Sequence, residues 1–167
     1  MRHPRDIQAA FDAFDGQRTA PLRALLSEPL SLEAERALMA AIPGPDEVAA
    51  TWVVKALVED GRMGAGQVGE VFERFDRITE ADAALHLLQC ARLVPDAAPI
   101  LRPHLTPYYG HAKMLLRVWA FDAYCRGAGP EEDLTERIRQ GLESRSAAMR
   151  ARSKALAKEF GVAVGPR

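Results

Sequence analysis

Helix-forming segments run through this sequence in two interleaved series that share one step. Segments opening near residues 32, 65, 97 and 131 alternate with segments opening near 46, 80, 111 and 147, so that successive members of either series lie about 31 to 36 residues apart. Two helix series with a common step are the signature of a helical-hairpin repeat. One hairpin of this size cannot bury its apolar face alone, so the spacing predicts neighbours that stack.

The segments are read from apolar residues recurring at three- and four-residue intervals, with no run of alternating β-branched and polar residues to suggest a strand. Pattern and breaks together predict helices over Arg5–Phe14, Ala20–Ser27, Leu32–Ile42, Asp46–Asp60, Ala65–Phe75, Glu80–Leu93, Ala97–Arg102, His111–Arg126, Glu131–Leu142 and Ala147–Phe160. The breaks fall at Pro43-Gly44-Pro45, from Gly61 to Gly66, at Pro95, from Pro103 to Gly110, and at Gly127-Ala128-Gly129-Pro130. Pro21 suits a first helical turn. Ser31 is placed to cap the third helix, and Thr79 followed by Asp82 resembles a capping box. Glu131, Glu132 and Asp133 after Pro130 put negative charge where a helix N-terminus favours it. The expected organisation is a single domain over 1–167, with residues 1–30 as a helical cap, 31–160 as repeats and 161–167 as a short tail.

With 167 residues, 48% of them hydrophobic and 27% charged, the chain is long enough and apolar enough to bury a core. Its longest apolar runs, such as Val118–Phe121, fall far short of a membrane span, and the N-terminus does not read as a secretory signal. Cys90 and Cys125 lie in apolar helical runs and read as buried free thiols, which points to a cytoplasmic protein. The net charge of −1 hides an asymmetry. Residues 1–100 hold 10 Lys and Arg against 16 Asp and Glu, whereas residues 101–167 hold 12 against 7. A basic C-terminal part suits an acidic partner, and oppositely charged ends suit self-association.

The segment Leu116-Arg117-Val118-Trp119-Ala120-Phe121-Asp122-Ala123-Tyr124 resembles the second helix of a HEAT repeat, with Arg117, Ala120, Ala123 and Tyr124 in the places where that family has Arg, two small residues and a large apolar one. Met149–Leu156 is similar more loosely. Ala50, Val53, Ala56 and Leu57 fit the spacing without the Arg, the third repeat fits poorly, and the acid that usually precedes the Arg is absent. The resemblance to small bacterial HEAT-like proteins implies an all-α, right-handed α–α superhelix of about four helical hairpins, of the armadillo type, with an N-terminal helical cap.

Six residues stand out as candidates for binding. Arg117 lies in a helix that is apolar nearly all round and therefore needs a partner; the resemblance implies a bridge between repeats, and an anion-binding role is the alternative. Arg150, Lys154 and Lys158, four apart, share one helix face, flanked by Arg139, Arg145 and Arg152, and offer either a solvated face or a surface for phosphates or an acidic protein. Tyr108 and Tyr109, between Pro107 and Gly110, read as packing over a helix end or as an interface anchor. Trp52 and Trp119 are expected in the core.

No catalytic constellation is legible, none of the four histidines stands at metal-ligand spacing, and no cofactor motif appears; Gly64, Gly66 and Gly69 follow no strand. The expected function is a non-catalytic protein–protein interaction module that uses its second helices. The alternatives are a nucleic-acid-binding HEAT-like protein, or a DNA glycosylase-like enzyme for which Asp122 is the sole acid on the Arg117 helix, and, as a minor one, an assembly or maturation factor.

Overall fold

Each predicted break falls where the backbone turns, and the apolar stripes between breaks are helical. The computed structural model describes residues 1–163; residues 164–167 of the expected tail lie outside the described residues. The helices are α1 (Pro4–Asp12), α2 (Ala20–Leu25), α3 (Leu32–Ala40), α4 (Glu47–Glu59), α5 (Ala65–Phe72), α6 (Ala81–Leu93), α7 (Ala98–Leu101), α8 (Met114–Arg126), α9 (Thr135–Leu142) and α10 (Ala147–Glu159). Among the described residues the only β-type pairing is an isolated bridge between Arg2 and Leu30, which ties the N-terminus to the residue before Ser31. No helix among them is long and apolar enough to cross a membrane.

Several helix starts differ from the sequence expectation, each for a local reason. Ser31 does cap α3, its Oγ accepting the Ala34 N–H at 3.1 Å. Thr79 does not cap α6, which begins after Glu80; its hydroxyl and N–H both go to Glu47 on α4 instead. Of the acids after Pro130, Asp133 serves the start of α9 as expected, its carboxylate accepting the Thr135 N–H at 2.8 Å. That helix starts at Thr135, and Glu132 is drawn away to Arg102 (2.5 Å) and the Tyr124 hydroxyl (3.0 Å). The segment expected as one helix over Ala97–Arg102 is a 3₁₀ turn, the short α7 and a second 3₁₀ turn, because Pro95, Pro99 and Pro103 each lack the N–H that a continuous ladder requires.

Helices α4, α6, α8 and α10 form one row, each packed on the next, while α1 packs on α3 and α5 on α7. Alanines at the helix–helix contacts make the close approach within the row possible. Ala49 and Ala50 on α4, Ala83, Ala84 and Ala91 on α6, and Ala120 and Ala123 on α8 are all buried. Around them Leu57, Leu87, Leu88, Leu116, Phe72 and Phe75 fill the volume, each large side chain contributing roughly 1.5–3 kcal/mol by leaving water. A smaller apolar cluster of Cys125, Leu134, Ile138, Leu156 and Ala157 joins α8, α9 and α10.

Polar ties between helices share a regular reach. Arg62 donates to the Leu26 and Glu28 carbonyls, Arg74 to the Met39 carbonyl, and Thr51 meets His86. Arg126 binds Glu159 with two hydrogen bonds. Outside residues 1–8, the long-range side-chain hydrogen bonds of the described residues span 30 to 36 positions, about one step of the helix series.

Candidate functional site

Two surfaces collect polar and aromatic side chains that the core does not use. The first is a cavity of about 300 Å³ between α8 and α9, open to solvent. Arg117 and Phe121, four apart, line it from one face of α8; Arg137, Gln140 and Gly141 line it from α9. Tyr109, Ser144 and Met149 close its ends. Beside the cavity α9 lies against α10 because position 141 has no side chain: a Cβ there would collide with Ser153 Oγ on α10 and sit 3.3 Å from the Phe121 ring.

The electrostatics of this cavity are one-sided. Arg117 does not bridge repeats, as the resemblance implied; its Nε is buried without a hydrogen-bond partner among the described residues. The acid that would pair with it is missing from the sequence, which has no Asp or Glu between Asp96 and Asp122. Arg137 also forms no ion pair among the described residues and lies 4.1 Å from the centroid of the Tyr124 ring, as does Arg102. Tyr109 meets the edge of Tyr124 at 6.1 Å. Burial raises the pKa of the Tyr109 hydroxyl, so at neutral pH it is a donor. Ser144 Oγ accepts the Ser146 N–H at 3.2 Å and keeps its own proton to give. Among the described residues no carboxylate lines the cavity.

The second surface runs along the row of α4, α6, α8 and α10. Trp52 and Trp119 are half-buried rather than fully in the core, because each ring lies at the helix surface beneath a guanidinium. Arg23 is 5.6 Å from the Trp52 ring centroid and Arg152 is 4.0 Å from that of Trp119. Shallow cavities of about 330 and 150 Å³ lie beside the two indoles, and Glu59 lines both, so the surface is continuous from α2 to α8. His86 sits in the same row, its Nδ1 3.1 Å from Thr51 Oγ.

The basic stripe on α10 divides. Arg150 turns back to the Ser144 and Arg145 carbonyls at 2.7 and 2.9 Å and braces the α9–α10 connection. Lys154 and Lys158 are exposed. The residue that reaches α8 is Arg152, outside the stripe, 3.5 Å from Asp122. The two tyrosines divide as well. Tyr108 packs on Phe75 at 5.3 Å and stacks with His111, whereas Tyr109 faces the α8–α9 cavity.

Asp122 is wholly buried and held by Arg126 at 2.6 Å as well as by Arg152. Burial opposes the charge on Arg126, but the hydrogen bonds it donates to Glu159 and Asp122 outweigh it and hold the pKa above the usual arginine range. These ion pairs make Asp122 a brace between α8 and α10. The signal for it was present as the i, i+4 pair Asp122 and Arg126, but its third member, Glu159, lies 33 positions away. Cys90 and Cys125 are both buried and free, and burial pushes each thiol up to about 12. Among the described residues no group of three or more His, Cys, Asp or Glu side chains is placed to hold a metal ion.

The chain matches no protein-family model, no curated protein and no solved structure.

Proposed function

We propose that the chain is a non-catalytic protein-interaction module of the HEAT-like type, similar to small bacterial proteins of that kind. Its hairpins form a right-handed α–α superhelix, and its partner docks along α4, α6, α8 and α10. The reading of stacked repeats is supported by helix starts at Glu47, Ala81, Met114 and Ala147, and by hydrogen bonds that reach 30 to 36 positions along the chain. Each such bond joins one hairpin to the next, which is how a solenoid is held together. The two buried thiols without a disulfide suit a cytoplasmic setting.

The observation that carries the docking surface is the pair of half-buried indoles, Trp52 and Trp119, each under an arginine on one continuous face. Trp and Arg are the side chains that most often dominate an interface, because a large rigid ring and a planar cation lose little entropy when they are covered. Lys55, Arg92 and Arg152 on this face suit a partner with acidic residues around an apolar anchor.

The test is affinity capture from the source cell, with and without nuclease, using the wild-type chain and a Trp52→Ala/Trp119→Ala variant whose helical content is checked by circular dichroism. A protein recovered in stoichiometric amount, resistant to nuclease and lost with the variant supports the reading. Recovery that is unchanged in a folded variant removes this face from consideration. The second reading, a nucleic-acid partner, rests on the exposed basic residues Arg139, Arg145, Lys154 and Lys158. It predicts recovery that vanishes with nuclease and binding that collapses as salt rises.

A further inference from the structure

We infer that the cavity between α8 and α9 is a binding site for an oxyanion, a carboxylate or a phosphate monoester, carried on an aromatic or other apolar body. The cavity shares no lining residue with the two beside the indoles, so the inference stands apart from the docking surface proposed above.

Arg117 is the centre of the argument. A guanidinium with nothing to bind ordinarily faces water, yet the Nε of Arg117 is shielded from it and makes no hydrogen bond. The half-buried side chain lines an open cavity and has no hydrogen-bond partner among the described residues, so the part of the guanidinium that reaches the cavity is left for a group that enters from outside. Arg137, on the facing helix, supplies a second guanidinium free of carboxylates, and a pair of planar forks is the arrangement that recognises carboxylate or phosphate oxygens. Tyr109 and Ser144 add neutral hydroxyl donors. With no acidic side chain in the lining, the cavity repels nothing negative and offers a cationic ligand no partner.

The remaining walls set what the anion is attached to. Phe121 and Met149 contribute an aromatic face and a pliable thioether, surfaces that gain from covering apolar atoms. A volume of about 300 Å³ is at the small end of the range for small-molecule sites, enough for one ring with its anion. Gly141 maintains that volume by letting α9 lie against α10 beside it.

The test titrates the purified chain with phenyl phosphate, phenylacetate and inorganic phosphate. Calorimetry gives the affinity, and the arginine side-chain N–H signals in ¹⁵N-resolved NMR give the site. At least one of the two aryl anions saturates a single site and shifts the Arg117 Nε–H signal. Arg117→Gln and Arg137→Gln each weaken that binding at least about tenfold, as loss of a charge-assisted hydrogen bond should, and Arg117→Lys restores part of it. The preferred aryl anion identifies the oxyanion. The inference is overturned if neither aryl anion saturates, or if both glutamine variants, folded by circular dichroism, bind as the wild type does. Inorganic phosphate binding as tightly as phenyl phosphate would overturn the apolar half of the assignment. A partner captured equally by wild type and Arg117→Gln leaves the indole face intact, so the two proposals fail separately.

Discussion

The carboxylate of Glu47 on α4 accepts both donors of Thr79, the main-chain N–H at 2.8 Å and the hydroxyl at 2.9 Å, 32 positions along the chain. The same oxygen takes the Glu80 N–H at 2.6 Å, so a side chain of α4 satisfies the entry to α6. Glu47 is buried, whereas Thr79 and Glu80 are exposed, so Glu47→Ala would return their donors to water and lose the net worth of hydrogen bonds to a charged group. We expect Glu47→Ala to lose about 1–3 kcal/mol of unfolding free energy and Thr79→Val about 1 kcal/mol, measured by urea denaturation. Equal stability of wild type and Glu47→Ala would show that this contact does not hold α4 to the start of α6.

His86 makes stability depend on pH. Burial, then the neighbouring Lys55, lowers its pKa from 6.5 to about 4. The hydroxyl of Thr51 gives its proton to the Glu47 carbonyl at 2.7 Å, which leaves His86 Nδ1–H to donate to Thr51 Oγ. Because the folded pKa is depressed, the unfolded chain binds the proton first as the solution is acidified. The stability contributed by neutral His86 is therefore complete above pH 6.5, declines as pH falls from 6.5 towards about 4, and is constant below that. The loss across this window is on the order of 3 kcal/mol. Denaturation midpoints collected from pH 7.5 to 4 should slope in wild type and flatten through this window in His86→Gln; parallel curves would refute the assignment.

Two glycines in helices should respond to alanine with opposite sign. Gly66 on α5 is exposed and has open space where a Cβ would stand, so Gly66→Ala should stabilise by roughly 0.5–1 kcal/mol through the unfolded chain. Gly141 on α9 meets Ser153 where its Cβ would go, so Gly141→Ala should destabilise by about 1–3 kcal/mol by forcing α9 from α10. Melting temperatures of the two variants decide it, and a stabilised Gly141→Ala would mean that α9 and α10 lie further apart than described.

The thiols should be silent until the protein opens. With both pushed up to about 12, neither Cys90 nor Cys125 offers a thiolate at neutral pH, and both side chains are shielded. An aromatic disulfide reagent at pH 8 should find no fast-reacting thiol in the native chain and both thiols in denaturant. Rapid reaction of one thiol in the native state would identify a reactive cysteine.

Much of the helical order was legible in the residues. Apolar spacing and the Gly and Pro breaks locate α1 to α10 to within a few residues, and the Ser31 cap is read directly. Where the reading slipped, a distant group had captured the local signal. Thr79 left its expected helix start for Glu47, and Glu132 left the start of α9 for Arg102 and Tyr124. The site was less legible for the same reason. Arg117, Tyr109 and Phe121 come from one stretch of chain, but Arg137 and Ser144 join them only because α9 folds back on α8.

Helix identity belongs to the sequence by itself, because hydrophobic periodicity, caps and breakers act over one or two turns and are nearly independent of what lies beyond. Which charges are paired and which stand free belongs to the tertiary structure. Successive residues of a helix point about 100° apart, so Arg150 and Arg152, alike in sequence, face a loop carbonyl and a buried carboxylate. Arg117 and Arg126 share α8, yet Arg126 finds Asp122 one turn away and Glu159 33 positions along the chain, while Arg117 finds no acid among the described residues. That difference is set by the packing of helices some thirty residues distant.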